Sequence, residues 1–237
     1  MELGHVVVLA GGLSYEREVS LRSGRRVSDA LRALDIPVEL RDADATLLDA
    51  LTDDPPDAVF PVLHGAAGED GSIRDVLDLL DVPYVGARPD ACRVAWDKPT
   101  AKSVVRRAGL RTPASVALPK EVFHDLGAAS VLDRILRSLG LPLFVKPTRG
   151  GSALGASVVR DAADLSAAMV GCFAYGDAAL VERCISGTEV AVSVIDRDGT
   201  PTALPAVEIV APGGRYDYTA RYDAGDTEFV TPARLTP

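Results

Sequence analysis

The N-terminal part of the chain repeats one pattern, in which a short apolar run precedes a segment of helical periodicity. The run "HVVVLA" ends at Gly11 and Gly12, and the next segment places a stripe of mainly apolar residues on one helical face. This stripe comprises Val19, Ser23, Val27, Leu31 and Leu34. "VEL" and "DAVFPVL" predict further strands on either side of the helical stretch "ATLLDAL". Alternating strands and helices predict a parallel sheet.

A further helix and strand extend this pattern. Ser72 is a predicted N-cap, because its hydroxyl can accept a hydrogen bond from the first turn of a helix. The apolar stripe of that helix consists of Ile73, Val76, Leu77 and Leu80. "VPYVGA" then predicts another strand.

The pattern changes near Asp97, which is a predicted N-cap with Pro99 in the first turn. The buried face of this helix is expected to be Ala101, Val104, Val105 and Ala108. "LRTPASVALP" is read as a connector to an amphipathic helix around 129–139. From Leu143 we expect two strands, a helix from about Asp161, the strands "ALVERCI" and "TEVAVSVID", a turn and another strand. A second, mixed domain therefore begins near residue 97.

The last stretch, "RYDYTARYDAGDTEFVTPARLTP", is polar and rich in tyrosine. It shows no closing helix or strand, and its composition is as typical of a disordered tail as of a folded segment.

Composition narrows the class of protein. The 237 residues are 47% hydrophobic and 25% charged, which is typical of one large or two smaller globular domains. The net charge of −9 argues against nucleic acid and acidic membrane surfaces as partners, because both require clustered Lys and Arg. A small-molecule ligand is expected instead.

No segment predicts export or membrane insertion. "VVVLA" is too short for a signal-peptide core, and no stretch is long enough to span a bilayer. We therefore expect a cytoplasmic protein.

Cys92, Cys172 and Cys184 are odd in number and far apart, so buried free thiols are expected rather than disulfides or a zinc site.

The stretch "FVKPTRGGSALGASVV" sets a strand containing Lys146 against a glycine-rich turn and a second strand. A P-loop is excluded, because Ala156 and Ser157 follow Gly150 and Gly155 where Lys and Ser or Thr are needed. The glycines predict a hairpin flap whose backbone N–H groups can approach an anion such as a nucleotide phosphate. On this stretch alone, an ordinary hairpin with a surface lysine is the alternative.

Read in order, a series of stretches resembles the successive motifs of the D-alanine–D-alanine ligase family, which belongs to the ATP-grasp superfamily. They are "GGLSYEREVSLRSG", "VFPVLHGAAGEDG", "VPYVGA", "DK", "FVKPTRGGSALGASVV", "LVERCISGTEV" and "YDYTARY". The resemblance implies an N-terminal parallel-sheet, Rossmann-like α/β domain over 1–96. It also implies a first ATP-grasp lobe over 97–185 and the start of a second lobe over 186–237.

By this resemblance the chain is an ATP-dependent ligase for peptidoglycan precursor synthesis. In that family ATP phosphorylates the carboxylate of one D-alanine, and the amine of a second D-alanine attacks the acyl phosphate. The implied cofactors are ATP and Mg²⁺, or Mn²⁺, and a homodimer is the assembly that the family suggests.

The resemblance also implies a nucleotide site. Its positions are Lys98, Lys146, Gly150, Gly151, Ser152, Glu182, Arg183, Cys184, Ile185 and Glu189. Lysines and oriented N–H groups suit a site where phosphate and carboxylate charges crowd together. The backbone from Arg183 to Ile185 would face adenine, and Glu189 would accept bonds from ribose hydroxyls. Considered singly, such lysines and glutamates are more often solvated surface residues.

On the substrate side, Glu16 resembles the residue that anchors the ammonium of the first D-alanine, and His64 the histidine near its carboxylate. Ser152 and Tyr222 resemble residues that form a hydrogen-bonded set with Glu16, and this tyrosine accompanies D-alanine rather than D-lactate as acceptor. Arg221 stands where the family has lysine, and with Glu16, Ser152 and Tyr222 it completes the expected catalytic set. A dipole-facing glutamate and a structural histidine are the alternatives.

Several features depart from the family pattern. Ala153 replaces the second flap serine, and Arg74 and Asp75 replace the family's "QG". The family's metal ligands are expected beyond Pro237, so we expect none in this chain and interpret it as a truncated copy or part of a longer sequence. Two alternatives remain open, another ATP-grasp carboxylate–amine ligase and a catalytically silent remnant.

Overall fold

The chain forms two compact units in a computed structural model that describes residues 4–222, 225 and 227–235. Unit 1 comprises Met1–Thr112 and Thr148–Gly151, and unit 2 comprises Pro113–Pro147 and Ser152–Pro237. The three-part division at residues 96 and 185 stays a prediction.

Unit 1 contains a parallel sheet with helices. Its strands are β1 (Val6–Ala10), β2 (Val38–Asp42) and β3 (Ala58–Pro61). Its helices are α1 (Arg17–Arg32), α2 (Leu47–Asp53), α3 (Ala66–Glu69), α4 (Ser72–Leu79), α5 (Pro89–Trp96) and α6 (Lys98–Arg107). β1 lies between β2 and β3, parallel to both, and all of its residues are buried. A continuous apolar run is typical of such a central strand, and the predicted parallel sheet is confirmed.

Helix α1 buries Val19 of the predicted stripe together with small residues from outside it, and Ser23, Val27 and Leu31 of the stripe are half-buried. Its buried residues are Val19, Ser20, Gly24 and Ser28. A Cβ at Gly24 would lie 2.5 Å from the Cβ of Ala10, so glycine allows α1 to lie close to β1. The prediction of Leu34 on the buried face is wrong, because α1 ends at Arg32 and Leu34 is 70% exposed.

Two other expectations in unit 1 are wrong in detail. Ser72 is the first residue of α4, and Gly71 is the N-cap. "VPYVGA" makes a single parallel bridge, between Val59 and Tyr84, instead of a strand. Pro83 has no N–H to donate, which limits strand pairing at this position.

Helix α6 begins as expected, because the Asp97 side chain accepts a hydrogen bond from the Thr100 N–H at 3.0 Å. Its predicted buried face is wrong. Ala101 and Val105 are half-buried, whereas Val104 and Ala108 are exposed. The helix packs mainly against α5, which covers only part of its apolar stripe.

Unit 2 is mainly antiparallel. Its strands are β4 (Ser115–Pro119), β5 (Leu143–Pro147), β6 (Ser157–Val159), β7 (Ala178–Arg183), β8 (Glu189–Ala191), β9 (Val194–Arg197), β10 (Thr200–Ala203), β11 (Val207–Val210) and β12 (Glu228–Val230). Its helices are α7 (Lys120–Asp125), α8 (Ala128–Leu139), α9 (Leu165–Phe173) and α10 (Tyr218–Tyr222). The sheet orders are β4-β7-β5-β6, β10-β9 and β12-β11-β8.

The core of unit 2 lies between the four-stranded sheet and helices α8 and α9. Ile135 and Leu139 from α8 and Met169 from α9 pack there against Leu143 and Val181. β5 and β6 form the predicted hairpin, with the glycine-rich flap between them. The flap therefore begins from a rigid, buried strand.

Three expectations in unit 2 require correction. The presumed connector contains β4, which pairs with β7. "TEVAVSVID" forms two short strands, β8 and β9, instead of one. The C-terminal stretch contains α10 and β12, and β12 pairs with β11, so the described part of this stretch is folded. The rest of the stretch lies outside the described residues.

Cys92 and Cys172 are buried free thiols, as predicted, and Cys184 is a half-buried one. Across the ranges that the structure describes, no helix has the length and apolar character needed to cross a membrane.

Candidate active site

The backbone of the loop after β1 donates hydrogen bonds to two side chains. The Gly11 N–H donates to Ser20 Oγ at 2.9 Å, and that hydroxyl donates to the Val62 carbonyl at 2.8 Å. The Gly12 N–H donates to Asp42 Oδ1 at 2.8 Å. These bonds fix the chain just before Glu16.

Arg17 and Asp42 form a bidentate ion pair beside this loop. Arg17 donates to Asp42 Oδ1 at 3.0 Å and to Asp42 Oδ2 at 2.5 Å. It also donates to the Gly12 carbonyl at 2.9 Å. The hydrogen bond from Arg17 holds the pKa of Asp42 below its usual value.

We expect Asp42→Asn to lower the melting temperature at about pH 7, and the difference from the unmutated protein to shrink as the pH falls below 3.8. A carboxyl group whose pKa is lower in the folded state stabilises that state above the unfolded pKa of 3.8. This contribution is lost as the pH falls through the folded pKa. Melting curves across this range test the expectation, with exposed Asp53→Asn as the control. Equal melting temperatures of Asp42→Asn and the unmutated protein at neutral pH would contradict it.

Glu16 is buried at the start of α1, with 3% of its surface exposed. It is the N-cap residue, but its side chain makes no capping hydrogen bond to the helix. Glu16 Oε1 lies 4.0 Å from His64 Nδ1. Its carboxylate is therefore directed at the histidine rather than at the helix terminus.

His64 and Glu69 complete this group. Both follow β3, the neighbour of β1, and ligands bind at the carboxyl ends of strands in open α/β sheets. Glu69 Oε1 lies 3.9 Å from His64 Nδ1 and accepts a hydrogen bond from the Gly65 N–H at 3.3 Å. His64 Nε2 lies 3.4 Å from Ser23 Oγ. Sequence reasoning missed Glu69, although it stands in the quoted stretch "HGAAGEDG".

Burial shapes the electrostatics of this group. It lowers the pKa of His64, against the opposing effect of the Glu16 charge, so the imidazole is neutral at pH 7. Burial and then the Glu16 charge raise the pKa of Glu69. A neutral imidazole between two carboxylates favours a cationic ligand group.

Two glycines allow the backbone to lie against these carboxylates. Gly65 has φ +76°, and a Cβ there would lie 2.8 Å from the Cβ of Ser14. A Cβ at Gly151, in the flap, would lie 3.2 Å from Glu69 Oε2. The first part of the flap therefore contacts the acidic group within unit 1.

Lys98 is bound to the same part of the flap. Lys98 Nζ donates to the Gly150 carbonyl at 2.7 Å, and its backbone N–H donates to the Thr148 carbonyl at 3.0 Å. Arg149 Nε lies 3.1 Å from Asp97 Oδ2. Unit 1 thus brings together the predicted residues Lys98, Gly150 and Gly151.

Lys146 lies in unit 2, where it forms an ion pair with buried Glu182. Phe144 faces Glu182 across β5 and β7, so Lys146 is the diagonal neighbour of Glu182 on the same face. The Lys146 ammonium also lies 5.2 Å from the centre of the Phe144 ring. The structure thus pairs a predicted phosphate-binding lysine with a predicted hinge residue.

Ser152 and Tyr222 also meet in unit 2, with their hydroxyl oxygens 2.5 Å apart. Ser152 has φ +51°, a conformation that is uncommon for residues other than glycine. Tyr218 packs edge-on against Tyr222, with ring centres 5.0 Å apart. The neighbouring Arg221 is exposed and lies over the Tyr216 ring at 4.1 Å.

The predicted hinge has part of its backbone already engaged. The Arg183 N–H donates to the Ala114 carbonyl and the Cys184 N–H to the Pro142 carbonyl, each at 3.0 Å. Ile185 follows with 68% of its surface exposed, and Glu189 is exposed at the start of β8. Among the predicted hinge positions, Arg183 and Ile185 are thus exposed and Cys184 is half-buried.

Three ligating side chains meet at one place in the described ranges, at Glu16, His64 and Glu69, whose ligand atoms lie within 4.8 Å of one another. This group includes an imidazole and lies in unit 1, whereas Mg²⁺ prefers oxygen ligands together with phosphate. It does not fit the nucleotide-bound Mg²⁺ that the family implies.

Proteins named D-alanine–D-alanine ligase are similar in sequence to this chain over nearly its whole length. A D-alanine–D-alanine ligase from Pelotomaculum thermopropionicum is 38% identical over 97% of this chain and 72% of its own length. The ligase of the same name from Bordetella petrii is 40% identical over 98% of this chain and 69% of its own.

Solved structures share the fold. D-alanyl-alanine synthetase A from Vibrio cholerae has a TM-score of 0.82 at 26% identity, covering 100% of this chain and 76% of that one. VanG D-Ala:D-Ser ligase from Enterococcus faecalis has a TM-score of 0.76 at 27% identity, and the match covers 99% of this chain and 78% of that one. D-alanine–D-alanine ligase from Bacillus anthracis, complexed with ATP, has a TM-score of 0.75 at 25% identity, and the match covers 98% of this chain and 72% of that one.

Family models match both parts of the chain. One described as D-ala D-ala ligase C-terminus matches residues 104–237, and one described as D-ala D-ala ligase N-terminus matches residues 43–87. The fold is accordingly an α/β domain followed by ATP-grasp elements. The chain belongs to the D-alanine–D-alanine ligase family.

Proposed function

We propose that this protein joins two D-alanines into D-alanyl-D-alanine, using ATP, through an acyl phosphate. The observation that carries the proposal is the buried carboxylate of Glu16 beside the neutral imidazole of His64 in a chain of this family. An amino acid needs such a pair, because a carboxylate binds its ammonium and an imidazole N–H can donate to its carboxylate. A hydrogen bond to a charged group contributes about 1.5–3 kcal/mol.

In the first step, an oxygen of the D-alanine carboxylate attacks the γ-phosphorus of ATP, and the bond from that phosphorus to the bridging oxygen of ADP breaks. In the second step, the amine of the second D-alanine attacks the acyl carbon, the bond from that carbon to the phosphate oxygen breaks, and the nitrogen loses a proton as the amide forms and phosphate leaves. Both steps crowd negative charge, so fixed cations and N–H groups lower their barriers.

The proposed sources of these groups are β5, α6 and the flap between β5 and β6. We assign phosphate contacts to Lys146, which is anchored by Glu182, and to Lys98, which donates to the Gly150 carbonyl. When ATP binds, a phosphate oxygen would replace the Gly150 carbonyl as the acceptor of the hydrogen bond from Lys98. The N–H groups of Gly150, Gly151 and Ser152 would cover the phosphates.

Adenine recognition would fall mainly on the backbone of Ile185, because the N–H groups of Arg183 and Cys184 donate elsewhere. Glu189 would accept hydrogen bonds from ribose hydroxyls. Mg²⁺ or Mn²⁺, a cytoplasmic location and a homodimer are further parts of this proposal, and they rest on the family alone.

The acceptor is the least constrained part of the reaction, because the similar structure from Enterococcus faecalis is named a D-Ala:D-Ser ligase. The complete gene product should be assayed for phosphate release with D-alanine alone and with D-serine or D-lactate added, and products should be separated by mass. We expect mainly D-alanyl-D-alanine. Preferential formation of D-alanyl-D-serine would support the alternative acceptor, and no dipeptide at all would refute the proposal.

We expect Tyr222→Phe to increase D-alanyl-D-lactate formation relative to D-alanyl-D-alanine. The substitution keeps the ring and removes the hydroxyl that contacts Ser152. Losing a neutral hydrogen bond of about 1 kcal/mol predicts a shift of roughly fivefold in this ratio. Tyr218→Phe is the matched control on the same helix. Comparable amounts of both products from the unmutated protein would contradict the role of Tyr222.

A further inference from the structure

The group of Glu16, His64 and Glu69 has the composition of a transition-metal site. One imidazole nitrogen lies 4.0 and 3.9 Å from a carboxylate oxygen of Glu16 and of Glu69. Tetrahedral zinc, with bonds of about 2.0–2.1 Å, sets its ligand atoms roughly 3.4 Å apart. The two histidine–carboxylate distances therefore need to shorten by about half an ångström, and the ligand oxygens of Glu16 and Glu69, which lie within 4.8 Å of each other, by up to about 1.4 Å.

The surroundings also suit a dication. Glu16 is buried and His64 and Glu69 are half-buried, so the two carboxylates repel one another in a site of limited solvation. The charges of Lys98 and Arg74 offset part of the Glu69 charge, and a bound dication relieves the repulsion that is left.

The donor set selects the kind of ion. One nitrogen and two oxygen ligands suit Zn²⁺ and Co²⁺, whereas Mg²⁺ prefers oxygen ligands and retains its water. Three protein ligands leave a fourth position for water or for a group of a small molecule.

We infer that Glu16, His64 and Glu69 bind a Zn²⁺-like dication in place of the amino acid's ammonium, so that the metal and D-alanine compete. The competition rests on the proposed function, because Glu16 and His64 are there the contacts of the first D-alanine. The metal site itself rests only on the three side chains.

The test is metal binding to the 237-residue chain without nucleotide, with Zn²⁺ followed by calorimetry and Co²⁺ by its visible absorption. We expect one ion per chain, and His64→Asn and Glu69→Gln each to weaken binding at least about tenfold. The control is His5→Asn, because His5 lies 3.8 Å from Glu39 but belongs to no three-ligand group within the described ranges.

Two results would overturn the site. The first is that His64→Asn and Glu69→Gln both bind Zn²⁺ as tightly as the unmutated chain, although both keep its circular dichroism and melting temperature. The other is an equal loss of affinity in His5→Asn. If a variant fails to fold, the Co²⁺ spectrum of the unmutated chain decides: a nitrogen and oxygen set lacks the intense near-ultraviolet charge-transfer band of a thiolate set, and the appearance of that band would overturn the site.

A second arm tests the competition. D-alanine is expected to raise the apparent dissociation constant of Zn²⁺, and L-alanine is expected to have a much smaller effect. Metal binding that D-alanine leaves unchanged would overturn the competition but keep the site. Failure of the proposed function would be seen separately, as absence of dipeptide in an assay with ATP and no zinc.

Discussion

Lys146→Ala is expected to lower turnover by about 100-fold or more, because a fixed cation at a transferring phosphoryl group contributes several kcal/mol of transition-state stabilisation. Lys146 extends from a rigid strand beside the flap and is anchored by Glu182. The measurement is the rate of phosphate release by the complete gene product at saturating ATP and D-alanine.

Stability must be separated from chemistry in this experiment, because the substitution removes an ammonium beside a buried carboxylate. The double variant Lys146→Ala with Glu182→Gln removes both charges, so it should recover melting temperature without recovering turnover. Lys120→Ala is the matched control, since Lys120 forms an exposed ion pair with Asp177. A loss of less than about tenfold in Lys146→Ala, or ~1.4 kcal/mol, would contradict the phosphate contact.

Glu16→Gln is expected to raise the D-alanine concentration for half-saturation of the first site by about 100-fold. Removing one partner of a desolvated, hydrogen-bonded charge pair costs about 2–5 kcal/mol. Glutamine keeps the shape of the side chain and removes the charge that would bind an ammonium. The measurement is D-alanine binding by calorimetry, together with the dependence of phosphate release on D-alanine.

The matched control for this variant is Glu18→Gln, an exposed glutamate in the first turn of the same helix. It tests the alternative that Glu16 only complements the helix dipole, an effect of about 0.3–1 kcal/mol at exposed sites. Similar, small effects of both substitutions on binding would contradict the substrate contact. A lower melting temperature in Glu16→Gln with unchanged binding would assign Glu16 to stability alone.

Local periodicity was enough to predict the framework. The run around Val8 is continuous because β1 is buried on both faces, and the flap between β5 and β6 follows from glycines set between two apolar runs. Asp97 was identifiable as a cap because its side chain acts on its own helix. Such features depend on neighbours in sequence, so the sequence displays them.

Features that depend on tertiary distance were not predictable in the same way. Gly24 is buried because α1 lies close to Ala10, and the apolar stripe left out such small buried residues. Glu69 is one of several acidic residues in its stretch, and only the turn after β3 places it beside His64. The pairing of Lys146 with Glu182 depends on the register of β5 and β7.

The resemblance to a family supplied the site that periodicity did not. It named Glu16, His64, Ser152 and Tyr222, and the structure places the first pair together in unit 1 and the second pair together in unit 2. Their roles in catalysis stay predictions until the variants are measured.

The most direct test of the account follows oxygen from substrate to phosphate. D-alanine labelled with ¹⁸O in its carboxylate should be incubated with ATP and the complete gene product, and the released phosphate analysed by mass. An acyl phosphate formed on the γ-phosphorus predicts that a labelled oxygen moves to phosphate for each dipeptide made. Dipeptide accompanied by unlabelled phosphate would contradict the proposed reaction.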